Sequence, residues 1–323
     1  MGDSLADALR AKLGSDDVQV EAPLARYTAM RIGGAAEVLA VTRDRWALQE
    51  AVTLAWARDV PCRVLGGGSN VLVSDAGVQG LTVLNRARET RISTESAWAE
   101  SGASLSTLAR QVAAAGLTGL EWATGIPGSV GGAVAGNAGA WGSDVASTLV
   151  EAWVLEPDSS QSRWPPERFA YGYRSSVLRE ASRKLADTPS PVVLAAAFQV
   201  QPGDPASIET RVAEIGAQRR SRQPHGATCG SVFKNPPGDF AGRLIEAAGL
   251  KGTARGGARI SPVHANFIVN EGDATAADVV HLITLVRERV RDRFGITLEL
   301  EIELLGTWST GDRSKYNKHK GIS

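Results

Sequence analysis

Eighteen consecutive residues, GIPGSVGGAVAGNAGAWG (125–142), restrict the fold more than any other part of the sequence, because glycine and alanine make up most of them. A helix with so few side chains is unstable alone. We therefore expect Ser129 to cap a short helix that lies flat against a partner, with N-terminal amides that favour a phosphate group. The alternative is close packing against another helix or a sheet.

A second glycine-rich stretch, VLGGGSNVLVSD (64–75), predicts a strand, a turn and a strand. A dinucleotide-binding turn would be spaced GxGxxG and followed by a helix, so that fold is excluded here. Consecutive glycine amides can form an anion-binding nest, to which Ser69 and Asn70 add donors; a tight turn without a ligand is the alternative. Together the two segments indicate a ligand that joins a pyrophosphate to a large planar group.

Charge and hydropathy exclude several classes of protein. Lys and Arg total 35, and Asp and Glu also total 35, which argues against binding nucleic acid or anionic lipid through charge. No run approaches the roughly 20 apolar residues that span a bilayer, and the N-terminus predicts an amphipathic helix and not a secretory signal. Cys62 and Cys229 predict neither a disulfide nor a metal site. We expect a cytoplasmic monomer that binds neither nucleic acid nor membrane.

Periodicity predicts a mixed α+β chain. Helices are predicted at 44–58, 104–115, 206–220, 240–249 and 273–293, and strands at 36–41, 62–65, 70–74, 80–84, 148–155, 191–201, 266–269 and 296–305. Glycine- and proline-rich breaks divide the chain into units at 1–80, 81–204 and 205–306, followed by a flexible tail at 307–323. Whether the last strand, 296–305, returns to the second unit stays open.

An ordered series of motifs resembles the UDP-N-acetylenolpyruvoylglucosamine reductase (MurB) family over roughly residues 20–306. The motifs are RIGG (31–34), GGGSN (66–70), GIPGSVGGA (125–133), YRSS (173–176), CGSVFKNP (229–236), GLKG (249–252), HANFIVN (264–270) and LELEIELLG (298–306). The resemblance implies a two-part FAD-binding domain of the vanillyl-alcohol oxidase (PCMH) type and a C-terminal substrate domain. It also implies FAD as cofactor and NADPH as co-substrate.

The implied reaction reduces UDP-N-acetylglucosamine enolpyruvate to UDP-N-acetylmuramate, a step of peptidoglycan precursor synthesis. Hydride that reaches the vinyl carbon builds a dianionic enolate, which requires a cation, a hydrogen-bond donor and an acid. By the resemblance, Arg174 and Glu301 stabilise the enolate and Ser231 protonates the carbon. The implied cofactor-binding residues are Arg31, Gly33, Gly66, Gly67, Gly68, Ser69, Asn70, Gly125, Pro127, Gly128, Ser129, Gly132, Asn137 and Gly139. The implied substrate-binding residues are Arg219, Arg222, Lys234 and Asn235.

Each catalytic assignment has an alternative when the residues are considered without the resemblance. Arg174 could form a surface salt bridge, Glu301 could lie on the solvated face of an alternating strand, and Ser231 could satisfy a turn amide. Ser231 lacks both the strand-to-helix elbow and the ordered acid of a hydrolase triad, so a nucleophilic serine is excluded.

Two further points concern the subtype and rival functions. The segment between Arg174 and Ser231 already supplies a strand and a helix, so we expect the subtype that lacks an inserted tyrosine loop.

Another FAD-dependent oxidase on the same fold would keep the glycine segments but not all three catalytic motifs. A binding protein descended from the enzyme would keep flavin but lack turnover.

Overall fold

The computed structural model describes residues 4–183 and 189–308. Its contacts divide the chain into two units. The first unit contains the chain up to Glu21, Glu37–Gly67 and Gly80–Ser221; the second contains Ala22–Ala36, Gly68–Gln79 and the chain from Arg222 onward. This division differs from the sequence-based boundaries, because two short N-terminal segments join the C-terminal residues. Most of the tail predicted at 307–323 lies outside the described residues.

The α-helices of the described residues include all five that periodicity predicts, together with the N-terminal one. They are α1 (Leu5–Leu13), α2 (Arg45–Trp56), α3 (Leu105–Ala114), α4 (Val130–Gly136), α5 (Val145–Thr148), α6 (Val177–Arg183), α7 (Pro205–Arg222), α8 (Ala241–Ala247) and α9 (Ala276–Phe294). None of them is long and apolar enough to cross a membrane.

The strands of the described residues are short and spread over several sheets. They are β1 (Val18–Pro23), β2 (Ala35–Thr42), β3 (Cys62–Leu65), β4 (Val71–Val73), β5 (Val78–Asn85), β6 (Thr90–Ile92), β7 (Ser96–Glu100), β8 (Leu117–Thr118), β9 (Gly139–Ala140), β10 (Ser143–Asp144), β11 (Leu149–Leu155), β12 (Gln161–Trp164), β13 (Val192–Gln199), β14 (Gln201–Pro202), β15 (Ala254–Arg255), β16 (Ala258–Ile260), β17 (Ile268–Asn270) and β18 (Glu303–Leu305).

The first unit is built on two sheets. One has the order β1-β2-β5-β3, and the other has the order β12-β11-β13-β7-β6 with antiparallel neighbours. The helix α4 packs on the five-stranded sheet through Val130, Ala133 and Val134, which are buried in the core that β7, β11 and β13 share with α3. This contact is the close packing against a sheet that was the alternative for the glycine-rich helix, and Gly131 lies against Ser101 at the end of β7.

The second unit combines the antiparallel sheet β15-β16-β17 with the parallel pair β18-β4. Its core is the apolar face of α9, whose buried residues include Val279, Ile283, Val286 and Val290. Thr275 forms a capping box at the start of this helix, and Gly295 ends it in the left-handed conformation.

The last predicted strand is wrong as a continuous element. Only Glu303–Leu305 forms a regular strand, and it pairs with β4. The residues before it pair elsewhere, since Glu299 O accepts from Lys234 N at 2.9 Å and Glu301 N donates to Val232 O at 2.8 Å. The stretch changes partner midway, so its alternation could not be interpreted as one strand.

Candidate active site

The two glycine-rich segments contact each other in the first unit. A Cβ atom at Gly66 would lie 2.1 Å from Ser129 Oγ, and one at Gly67 would lie 3.1 Å from Gly128 Cα. Real Cβ atoms essentially never come as close as the distance at Gly66, so that position requires glycine, and the fit at Gly67 is tight. Ser129 caps α4 as predicted, accepting from Gly132 N at 3.3 Å. These residues and Pro127 of the same loop form the close backbone contact that we call the cradle.

Gly125 extends the cradle toward Arg219. Gly125 has φ +73°, and a Cβ atom there would lie 3.0 Å from Arg219 Cδ. Burial lowers the pKa of Arg219, which shows that its guanidinium has lost part of its hydration. Arg219 was predicted to bind substrate, yet it lies against the loop predicted to bind cofactor. Arg222, predicted with it, is exposed and begins the second unit.

Arg174 lies at the opposite end of α4 from the cradle, about 10 Å away along a seven-residue helix. Its Nη1 donates to Asn137 O at 3.3 Å and its Nη2 donates to Gly139 O at 2.5 Å. The guanidinium carbon lies 5.5 Å from the centre of the Tyr173 ring. Arg174 also has φ +52°, a strained conformation for a residue other than glycine. Two carbonyl contacts therefore orient a guanidinium that has five N–H donors in all.

Side chains next to Arg174 satisfy the last carbonyls of α4. Tyr171 Oη donates to Val134 O at 3.0 Å, and Ser176 Oγ donates to Ala135 O at 2.5 Å. Burial, assisted by the charge of Asp144, raises the pKa of Tyr171. Sequence reasoning missed both roles, although Tyr171 lies two residues before the YRSS motif and Ser176 is its last residue. They fasten the Arg174 turn to the glycine-rich helix.

The side chain of Asn137 forms hydrogen bonds with the residues around the C-terminal end of α4. It ends α4 in the left-handed conformation and is 3% exposed. Its Nδ2 donates to Gly172 O at 3.0 Å and to Asp144 Oδ2 at 3.2 Å, while its Oδ1 accepts from Ala146 N at 3.0 Å. The side chain predicted to bind cofactor is thus engaged inside the first unit. Gly139 is needed for packing, since a Cβ atom there would lie 2.5 Å from Asp144 Cβ.

The remaining predicted cofactor residues lie in the second unit. Arg31 has φ +56° and Gly33 has φ +141°, in a turn packed against β4. Gly68 accepts from Ala29 N at 2.9 Å, and a Cβ atom on Gly68 would lie 2.2 Å from Tyr27 O. Ser69 follows it in the same turn. The structure thus joins the residues that precede RIGG, Tyr27 to Ala29, to the second half of GGGSN.

Asn70 connects that turn to the segment of Glu301. Its Nδ2 donates to Glu301 O at 3.1 Å, and its carbonyl accepts from Glu303 N at 2.9 Å. Glu301 is partly buried. The backbone of Glu301 is therefore held by Asn70 on one side and by Val232 on the other. The backbones of Glu299 and Glu303 are hydrogen-bonded as well, so the catalytic role of Glu301 stays a prediction.

Ser231 and Lys234 lie on a segment that pairs with residues on both sides. Ser231 forms a bridge with Phe267, and Phe233 forms one with Leu300. Lys234 Nζ lies 3.6 Å from Glu299 Oε2. The second unit therefore places Ser231, Lys234 and Glu301 on adjacent paired segments.

Asn235, the next predicted substrate residue, is exposed and has a local role as well. Its Oδ1 accepts from Ala241 N at 3.0 Å at the start of α8, where the residue preceding the helix, Phe240, provides no side-chain cap. Substrate binding by its Nδ2 group stays a prediction.

A cavity of about 480 Å³ in the first unit lies away from these residues. It is lined mainly by α7 and by residues before Gly125, among them Glu121, Trp122, Ser207 and Arg211. Because it includes none of the predicted site residues, we do not assign it to the candidate site.

Two family models match separate parts of the chain. Residues 36–163 match the family model described as "FAD binding domain", and residues 222–305 match the one described as "UDP-N-acetylenolpyruvoylglucosamine reductase, C-terminal domain".

Two relatives cover nearly the whole chain. The UDP-N-acetylenolpyruvoylglucosamine reductase of Chloroflexus aurantiacus is 46% identical over 292 residues, covering 88% of this chain and 96% of the relative. The protein of the same name from Rubrobacter xylanophilus is 48% identical over 286 residues, covering 88% and 94%. The crystal structure of UDP-N-acetylenolpyruvylglucosamine reductase (MurB) from Thermus caldophilus matches with a TM-score of 0.74 and 36% identity, covering 89% of this chain and 98% of that one.

Proposed function

Since the chain belongs to the UDP-N-acetylenolpyruvoylglucosamine reductase family, we propose that it reduces UDP-N-acetylglucosamine enolpyruvate to UDP-N-acetylmuramate, with FAD as cofactor and NADPH as reductant. The observation that carries the proposal is the contact between GGGSN and GIPGS inside an FAD-binding domain. A Cβ atom at Gly66 or Gly67 would press on Ser129 or Gly128, so both segments present bare backbone here, which fits a ligand that must approach the backbone closely.

The cradle residues would hold the pyrophosphate of FAD. Gly66, Gly67, Gly128 and Ser129 would contact it through backbone and hydroxyl. In the second unit, Arg31, Gly68, Ser69 and Asn70 are the proposed contacts. When bound, the reduced flavin supplies the hydride that adds to the vinyl carbon of the substrate.

Arg174 is the proposed cation for the substrate carboxylate. Negative charge grows on this carboxylate as the enolate forms, and a guanidinium already oriented by two carbonyls stabilises it without reorganising. A planar guanidinium also matches a carboxylate through two parallel bonds, which an ammonium cannot do.

Ser231 is the proposed proton donor, and Glu301 is the proposed second stabiliser of the enolate. A hydroxyl is a weak acid, so its alkoxide must be stabilised as the proton leaves; Lys234, three residues later on the same paired segment, supplies a positive charge. The proposed contacts to the UDP part are Lys234, Asn235, Arg219 and Arg222.

We also propose that the chain is of the subtype without the tyrosine loop and that it acts as a monomer.

Two measurements test the function. The purified protein should be yellow with a flavin spectrum, and it should oxidise NADPH when the enolpyruvyl UDP-sugar is present. A colourless protein that cannot be reconstituted with FAD would contradict the cofactor. Bound flavin without sugar-dependent NADPH oxidation would instead identify a binding protein.

A further inference from the structure

A buried amide that belongs to none of the proposed contacts holds the segment of Ser231 and Lys234. Asn266 Oδ1 accepts from Phe233 N at 3.0 Å, and Asn266 Nδ2 donates to Phe233 O at 2.8 Å. The carbonyl of Asn266 accepts from Val232 N at 2.8 Å. Asn266 is 4% exposed and Phe233 is 1% exposed. One side chain therefore satisfies both backbone polar groups of a single buried residue.

The opposite edge of the same segment is held by the chain around Glu301. Lys234 N donates to Glu299 O at 2.9 Å, and Glu301 N donates to Val232 O at 2.8 Å. Phe233 is the residue between these two contacts, and its peptide groups face Asn266. Without the amide, a buried N–H and a buried carbonyl would lack partners, and the segment would move to satisfy them.

We propose that Asn266 is a positioning residue for Ser231 and Lys234, acting through the backbone of Phe233. Ser231 lies two residues before Phe233 and Lys234 lies directly after it, so a rotation of either Phe233 peptide group displaces both functional side chains. Displacement of about 1 Å is enough to impair a proton transfer. The proposal rests on the function proposed above, because it assigns the effect to protonation by Ser231.

The test is Asn266→Asp, which keeps the size and the acceptor for Phe233 N but replaces the donor to Phe233 O with an oxygen. Rapid mixing separates reduction of the bound flavin by NADPH from its reoxidation by the sugar. We expect reduction to stay within twofold of wild type and reoxidation to slow by about 10²-fold, the scale of a lost acid catalyst. The solvent deuterium isotope effect on reoxidation should increase.

Asn270→Asp is the matched control. Asn270 is also buried, at 9% exposure, and its amide contacts Met30 O, Gly272 N and Ala274 N and not the segment of Ser231. The same chemical change there should lower the melting temperature without selectively slowing reoxidation.

A double variant separates positioning from general damage. If Asn266 acts through Ser231, then Asn266→Asp should slow reoxidation little further once Ser231→Ala is present, because the two residues act as one unit. Additive effects, or equal slowing of flavin reduction, would overturn the proposal. If Asn266→Asp does not fold, Asn266→Ser replaces the amide with a shorter hydroxyl that cannot reproduce both bonds to Phe233, adds no charge and allows the same comparison. Wild-type protein that the sugar cannot reoxidise would overturn the proposed function instead.

Discussion

At the residue scale, the two carbonyl contacts of Arg174 predict that lysine cannot replace it. Nη1 and Nη2 reach Asn137 O and Gly139 O separately, whereas an ammonium is a single point of charge. We expect Arg174→Lys to slow reoxidation by about 10²–10³-fold, as for loss of one oxyanion-stabilising group. Flavin reduction, followed by rapid mixing, should be little changed. Arg168→Lys, at an exposed pair with Glu156, is the control and should leave both steps unchanged.

Gly66 supplies a second residue-scale prediction. Gly66→Ala places a methyl group 2.1 Å from Ser129 Oγ, so the cradle must open or the new group must occupy the ligand's space. We expect flavin content after gel filtration to fall at least tenfold, about 1.4 kcal/mol or more in binding free energy. Gly272→Ala is the control, because no atom lies within 4 Å of a Cβ there. Normal flavin content in Gly66→Ala would contradict the cradle.

The two glycine-rich segments show how much of the site could be predicted from the sequence. Composition indicated that each segment accommodates a close neighbour, but not that each is the neighbour of the other. The roles of Tyr171, Ser176 and Asn266, and the internal contacts of Asn137, were missed for a related reason. A buried polar side chain acts on whichever backbone group the fold brings to it, and local sequence does not specify that group.

At the element scale, the start of α9 depends on a residue about 200 positions earlier in the chain. Asp75 Oδ1 accepts from Ala276 N at 2.8 Å and Asp75 Oδ2 accepts from Ala277 N at 3.0 Å. We expect Asp75→Ala to lower the free energy of unfolding by about 1 kcal/mol, a typical value for a lost cap. Denaturant unfolding curves measure it.

Asp273→Ala is the comparison, because Asp273 is also an aspartate near the start of α9 and lies two residues before Thr275. The structure assigns the cap to Thr275, so Asp273→Ala should change stability by less than about 0.5 kcal/mol. Equal losses in the two variants would contradict this assignment. The spacing of apolar residues thus predicted most of α9. Its first residue depends on capping contacts, which that spacing does not reveal.

At the scale of the whole molecule, strand partners were the least predictable feature. Helices follow from local periodicity, and most strands were located within a few residues. The stretch 296–305 was predicted as one strand because its alternation is regular, yet it pairs first with 232–234 and then with β4. Pairing depends on segments far away in the chain, and so the division into units that it produces could not be derived from local patterns.

Global stability should depend on pH through His264. Burial lowers the pKa of His264, and its Nδ1 accepts from Asn266 N at 3.2 Å, which requires the neutral ring. The unfolded chain therefore binds this proton more readily than the folded one. The contribution of His264 to stability is complete above the unfolded pKa, about 6.5, and is lost as the pH falls below it toward the folded value.

His264→Gln removes the titrating group and keeps an acceptor for Asn266 N. We expect the free energy of unfolding of this variant to fall less steeply below about pH 6.5 than that of wild type. His281→Gln is the matched control, because it makes the same chemical change at an exposed position of α9. Denaturant unfolding at several pH values gives the slopes, and identical slopes for all three proteins would show that His264 does not link protonation to folding.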